Sequence, residues 1–147
     1  MAKARSLPTL NSFLRGEIAA VETYRRALTR LGGHEEANDL RACLASHERR
    51  VVRLRDRVED LGGVPANEPG PLGAFARLYE AAPAGGDDGN EETIAALEEG
   101  EDSGLKLYLD DVCKLDADSR RMVARDILPE QVRTHDYLSE LKLRDAG

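Results

Sequence analysis

Tryptophan is absent, only four tyrosines and two phenylalanines occur, and strand-like runs of Val, Ile and Thr are missing. Little is left from which to build a sheet. Leu, Ala, Glu and Arg dominate instead, and 33% of the residues are charged, a composition that favours an all-helical protein. No stretch reaches the roughly 18 uninterrupted apolar residues of a membrane span, and the opening MAKARSLPTL lacks the apolar centre of a signal peptide. The expected location is therefore the cytoplasm, with no membrane partner. Two cysteines, Cys43 and Cys113, are too few for a disulfide framework and read as small buried side chains, paired only if the fold brings them together. The 21 basic residues are outnumbered by 28 acidic ones and spread along helical faces, so nucleic acid is not an expected partner. No nucleophile with a base at recognisable spacing, phosphate-cradling glycine loop or zinc-type Cys/His cluster appears, and no small-molecule substrate is identifiable.

The 147 residues suffice for one domain. Leu-Gly-Gly occurs twice, in RLGGHEE and DLGGVPAN, and its glycines predict left-handed caps that close a helix from about Leu7 to Leu31 and a second from about Glu35 to Leu61. The short connection makes them antiparallel neighbours. Residues from about 63 to 90 are rich in Pro and Gly and read as a long crossover with a short helix embedded at LGAFARLY. Asn90 is placed to cap a third helix running to about Leu115. Asp116 or Asp118 starts a fourth, ending near Lys142, in which Pro129 predicts a kink. The expected fold is a four-helix bundle with one crossover.

Alternating steps of four and three place Leu10, Leu14, Glu17, Val21, Tyr24, Leu28 and Leu31 on one face of the first helix. The second helix gives Leu40, Leu44, His47, Val51, Leu54, Val58 and Leu61. On the third, Ile94, Glu98, Glu101, Leu105, Tyr108, Val112 and Leu115 align, and on the fourth Ala124, Leu128, Gln131, His135 and Leu138. Each apolar seam is thus broken by an ionisable group. Burying one costs several kcal/mol unless it is compensated, which points to mutual compensation among Glu17, His47, Glu101 and His135. The halves also repeat weakly: GEIAAVETY and GEDSGLKLY share Gly-Glu-x6-Tyr, and a seam histidine follows each on the next helix.

Glu from two helices and His from two others resembles the ferritin-like superfamily, whose carboxylate-bridged metal sites use a Glu on each of two helices and Glu-x-x-His on the other two. The stretch from LEEGEDSGLKLY to YLSELK, with LGGVP and the crossover before it, is similar to a bacterial branch of that superfamily, a four-helix-bundle domain of unknown function. The resemblance spans about Leu10 to Leu141. It implies a ferritin-like connection and a site for one Fe, Mn or Zn ion held by Glu17, His47, Glu101 and His135, with Glu98 assisting. Leu44 and Val132 stand where the bridging carboxylates would be, which speaks against a two-metal centre and ferroxidase chemistry.

Two readings follow: a cytoplasmic bundle binding one divalent transition metal, or a non-catalytic, structural or stress-related self-associating bundle with a metal-free Glu/His cluster. A homo-oligomer is compatible with both. Tyr24 and Tyr108 read as packing residues whose hydroxyls reach an acceptor, and Cys43 as a small buried residue rather than a thiolate ligand. The acidic run from Asp87 to Asp102 reads as a solvated helix start, and the arginines of HERRVVRLRDR as mainly an outer face with Glu48 among them.

Overall fold

The computed structural model describes residues 2–31, 33, 35–70 and 87–146. Among these residues there are helices and no strands: α1 (Ala2–Leu31), α2 (Ala37–Asp60), α3 (Asp87–Asp111), a 3-10 turn (Val112–Lys114), α4 (Ala117–Met122), a π turn (Val123–Ile127) and α5 (Leu128–Ala146). Val123 and Leu128 keep right-handed helical dihedrals at the joints, so α4, the π turn and α5 form one rod. The architecture is an all-α assembly of four rods. The helix expected at 72–79, most of the proposed crossover and Gly32 of the first Leu-Gly-Gly lie outside the described residues.

Chain punctuation accounts for the rod ends. Gly62, at φ +79°, follows the C-cap Leu61; its N–H donates to Glu59 O and the Gly63 N–H to Val58 O, both at 2.9 Å, which satisfies two terminal carbonyls of α2. Asp116, not Asp118, caps α4: its Oδ2 accepts from Ser119 N at 3.1 Å. Ser6 of α1 donates to Asp116 Oδ1 at 2.7 Å, and Arg57 of α2 donates to Oδ2 at 3.3 Å, tying three rods together at that end. Burial alone would raise the Asp116 carboxyl, but these hydrogen bonds hold it well below the usual carboxylate range. Asn90 is not a cap, because α3 begins at Asp87.

The disturbance expected at Pro129 takes the form of a widened turn just before it. Leu128 N–H donates to Val123 O, five residues back, so the turn accommodates a proline that offers no N–H. The extra residue per turn keeps Val123, Ile127 and Gln131 inward at successive steps of four, and Thr134, Leu138 and Leu141 follow. Two members of the expected face fall away from the core: Ala124 is exposed, and His135 is only half-buried.

α1 packs along α2, and α3 along α5, with α1 against α3 joining the pairs. Two apolar clusters fill the interior. One gathers Tyr24, Leu31, Leu40, Leu97, Leu138 and Leu141; the other Leu10, Phe13, Leu54, Val58, Tyr108 and Ile127. Along every rod the sequence between them supplies a polar layer: Glu17, His47 with Arg50, Glu101, and Gln131 with Thr134, all at most 3% exposed. Arg50 corrects the reading of the α2 arginines as an outer face, since it is 1% exposed; Arg49, Arg53 and Arg55 do lie outside. Cys43 is buried as expected but Cys113 is exposed, and both are free.

Candidate functional site

The polar layer is centred on His47. Its Nδ1 lies 3.0 Å from Glu17 Oε2 and its Nε2 2.6 Å from Glu101 Oε1. A carboxylate can only accept, so both ring nitrogens donate and the ring is an imidazolium. Burial opposes that charge, but the two flanking carboxylates outweigh it and raise the pKa to about 8. The ring also lies against Tyr24, with centroids 5.1 Å apart.

Glu101 is saturated. Its Oε1 accepts from His47 and from the Tyr24 hydroxyl at 2.7 Å, and its Oε2 accepts from Thr134 Oγ1 at 2.7 Å and Gln131 Nε2 at 3.1 Å. Four donors occupy the four lone-pair positions of the carboxylate. Burial would push Glu101 up, yet His47, Arg50 and these hydrogen bonds leave it lowered. Gln131 reaches α3 because residue 104 is glycine: a Cβ there would stand 3.0 Å from Gln131 Nε2, which also donates to the Glu101 carbonyl at 3.0 Å.

The second cation is Arg50. Its Nη1 donates to Glu17 Oε1 at 3.2 Å and to Gln131 Oε1, while Nη2 meets Ser46 Oγ at 2.9 Å, Thr134 Oγ1 at 3.0 Å and the Glu130 carbonyl at 3.3 Å. Two carboxylates and two cations thus form a buried quartet of zero net charge, drawn from α1, α2 and α3 and braced by α5. Such a group is tolerable in a core because its charges are both paired and hydrogen-bonded.

Of the residues singled out by sequence, Glu17, His47 and Glu101 meet; His135 and Glu98 do not join them. His135 Nε2 faces Asp102 and its Nδ1 lies 3.1 Å from Asp136 Oδ1, at the surface, and these acids raise its pKa against partial burial. Thr134, three residues after Gln131, takes the inward place instead. Glu98 instead lies 3.8 Å from Lys142. Among the described residues, no group of three or more His, Cys, Asp and Glu side chains could hold a metal ion. The seam count missed Arg50 and Thr134. A helical step of three from His47 reaches Arg50, and Leu54 follows four later, so the alternative stepping was the available signal.

Beside the quartet a cleft of about 410 Å3 opens between α1 and α3. Phe13, Glu17, His47, Leu107, Tyr108 and Gln131 line it, and the repeated glycines Gly16 and Gly100 leave it room. Tyr108, 3% exposed, packs against Phe13 with centroids 4.5 Å apart and the rings tilted by 44°, but its hydroxyl has no hydrogen-bond partner among the described residues. Burial first, and the Glu17 carboxylate second, raise its pKa. The hydroxyl of Tyr24, by contrast, is satisfied by Glu101.

Comparison with known proteins finds no matching family model, no curated protein and no solved structure.

Proposed function

We propose that the chain is a non-catalytic helical bundle of ferritin-like organisation in which a buried, charge-neutral Glu–His–Arg–Glu quartet stands in the layer that metal occupies in the superfamily it resembles. The observation that carries this reading is Arg50, whose guanidinium donates to Glu17 inside the core. With His47 protonated on both nitrogens and Glu101 accepting four hydrogen bonds, the quartet has neither a free imidazole lone pair nor charge left to neutralise.

The ferritin-like organisation is supported by register. That pattern places a Glu on each of two helices and a Glu-x-x-His pair on each of the other two. Here α1 and α3 contribute Glu17 and Glu101, while the other two rods present inward pairs at the same three-residue spacing, His47 with Arg50 and Gln131 with Thr134. The bridging carboxylates are thus absent, and a cation of the chain itself fills the layer. The role of the quartet is to specify packing, because a one-residue slip of any rod would strand a buried charge.

Metal analysis tests this. Untagged protein purified and then loaded with iron, manganese and zinc in turn should retain less than stoichiometric metal, and its thermal unfolding should not shift with chelator. Stoichiometric metal lost on Glu101→Ala substitution would establish instead the single-ion reading, with Arg50 swung out of the layer.

A further inference from the structure

The cleft beside the quartet has a feature that the packing role of the quartet does not use. Tyr108 Oη is buried, lines the cleft and has no partner among the described residues, which leaves a donor and an acceptor unsatisfied there. Glu17, on the same wall, accepts from His47 and Arg50 and lies near enough to the Tyr108 hydroxyl to raise its pKa, and its carboxylate keeps acceptor capacity that Glu101 lacks. Phe13, Ala20 and Leu107 supply apolar wall, Ser12, Ser103 and Gln131 polar wall, and the volume of about 410 Å3 falls in the range of small-molecule sites.

We propose that this cleft binds a small neutral organic molecule with a flat apolar body and a hydroxyl or amide head, the head donating to Glu17 and pairing with the Tyr108 hydroxyl. Neutrality of the head follows from the quartet. Glu17 and Glu101 are already balanced by His47 and Arg50, so an anionic or cationic head would lose its hydration without an uncompensated charge to meet it. Arg15, at the rim, is exposed and hydrated. The neutrality of the head rests on the charge-neutral quartet proposed above, while the cleft itself and its Tyr108 hydroxyl are independent of it.

The test uses one apolar body with three heads: 2-naphthol, 2-naphthoate and 2-naphthylmethylamine, followed by naphthyl fluorescence, which the tryptophan-free chain leaves unobscured. The expected result is 2-naphthol binding to the full chain with a dissociation constant on the order of 0.1 mM, and each charged probe binding at least about fivefold more weakly. Tyr108→Phe should weaken 2-naphthol by about tenfold, the worth of one buried hydrogen bond. Gly16→Leu should abolish binding without unfolding the protein: a Cβ at Gly16 meets no atom within 4 Å, so the side chain grows into the cleft, and leucine favours the helix. Circular dichroism melts confirm that both variants are folded. Absence of 2-naphthol binding to the wild type, equal binding of the charged probes, or binding undiminished in Gly16→Leu would each overturn the proposal, the first meaning that the cleft holds water only.

Discussion

Arg50 and Glu17 form an ion pair at 3.2 Å in the centre of the bundle, with side chains 1% and 4% exposed. Removing one partner of a buried pair strands the other, so Arg50→Met should destabilise the fold by about 3–5 kcal/mol. Urea unfolding measures it. The double substitution Arg50→Met with Glu17→Leu should be less damaging than the sum of the two singles, because neither charge is then left alone. Additive losses would show that the two groups do not act as a pair.

The pH dependence of stability follows from the same layer. The pKa of His47 is raised to about 8 in the folded chain, above the ordinary 6.5, so its contribution is fully present below pH 6.5 and lost as the pH rises through 8. The difference corresponds to about 2 kcal/mol by pH 9. Glu101 is lowered, so its contribution is present above the ordinary carboxylate range and lost as the pH falls through its folded value. Stability should therefore plateau between about pH 4.5 and 6.5. His135 is also raised, so the alkaline loss is best measured in a His135→Gln background, where most of it should survive, and again with His47→Gln added, where it should shrink to the part that the raised Cys43 thiol contributes near pH 9.

The two tyrosines of the repeated Gly-Glu-x6-Tyr frame should respond in opposite ways. Tyr24→Phe deprives a buried carboxylate of a 2.7 Å donor and should cost about 1.5–3 kcal/mol. Tyr108→Phe removes a hydroxyl that has no partner, and unfolding free energy should change by no more than about 0.5 kcal/mol, or rise. Chemical denaturation of the two variants side by side gives the comparison. Equal losses would mean that Tyr108 has a strong acceptor.

Thiol reactivity should separate the two cysteines. Burial, followed by the Glu101 carboxylate, pushes Cys43 up to about 12, whereas Cys113 is exposed. A disulfide reagent at neutral pH should titrate one thiol quickly and the second only on unfolding. Two fast thiols would place Cys43 outside the core.

Much of this arrangement was legible along the chain, and the exceptions have local causes. The steps of four and three placed Glu17, His47, Tyr24, Glu101 and Tyr108 inward, because α1, α2 and α3 are regular where those residues sit. The same count put His135 inward and passed over Thr134, because it stepped four residues from Gln131 where the buried face steps three; the turn at Val123–Ile127 accounts instead for Val123 and Ile127 lying inward in place of Ala124 and Leu128. Pro129 signalled a disturbance without its geometry. Arg50 was passed over for a different reason: arginine within a run of charged residues is ordinarily solvated, and only three-dimensional convergence of Glu17, Gln131, Ser46 and Thr134 reveals why this one is not. The glutamates and the histidine that break the apolar seams of α1, α2 and α3 pointed to the layer in which the charges meet, but not to Arg50.

The protonation of His47 tests the central claim most directly. Long-range proton–nitrogen correlation spectra should show both ring nitrogens protonated at pH 7, with titration near pH 8 and no change when zinc or manganese is added. A neutral His47 ring at pH 6.5, with one nitrogen shifting on addition of either metal, would contradict the quartet and make the imidazole a ligand.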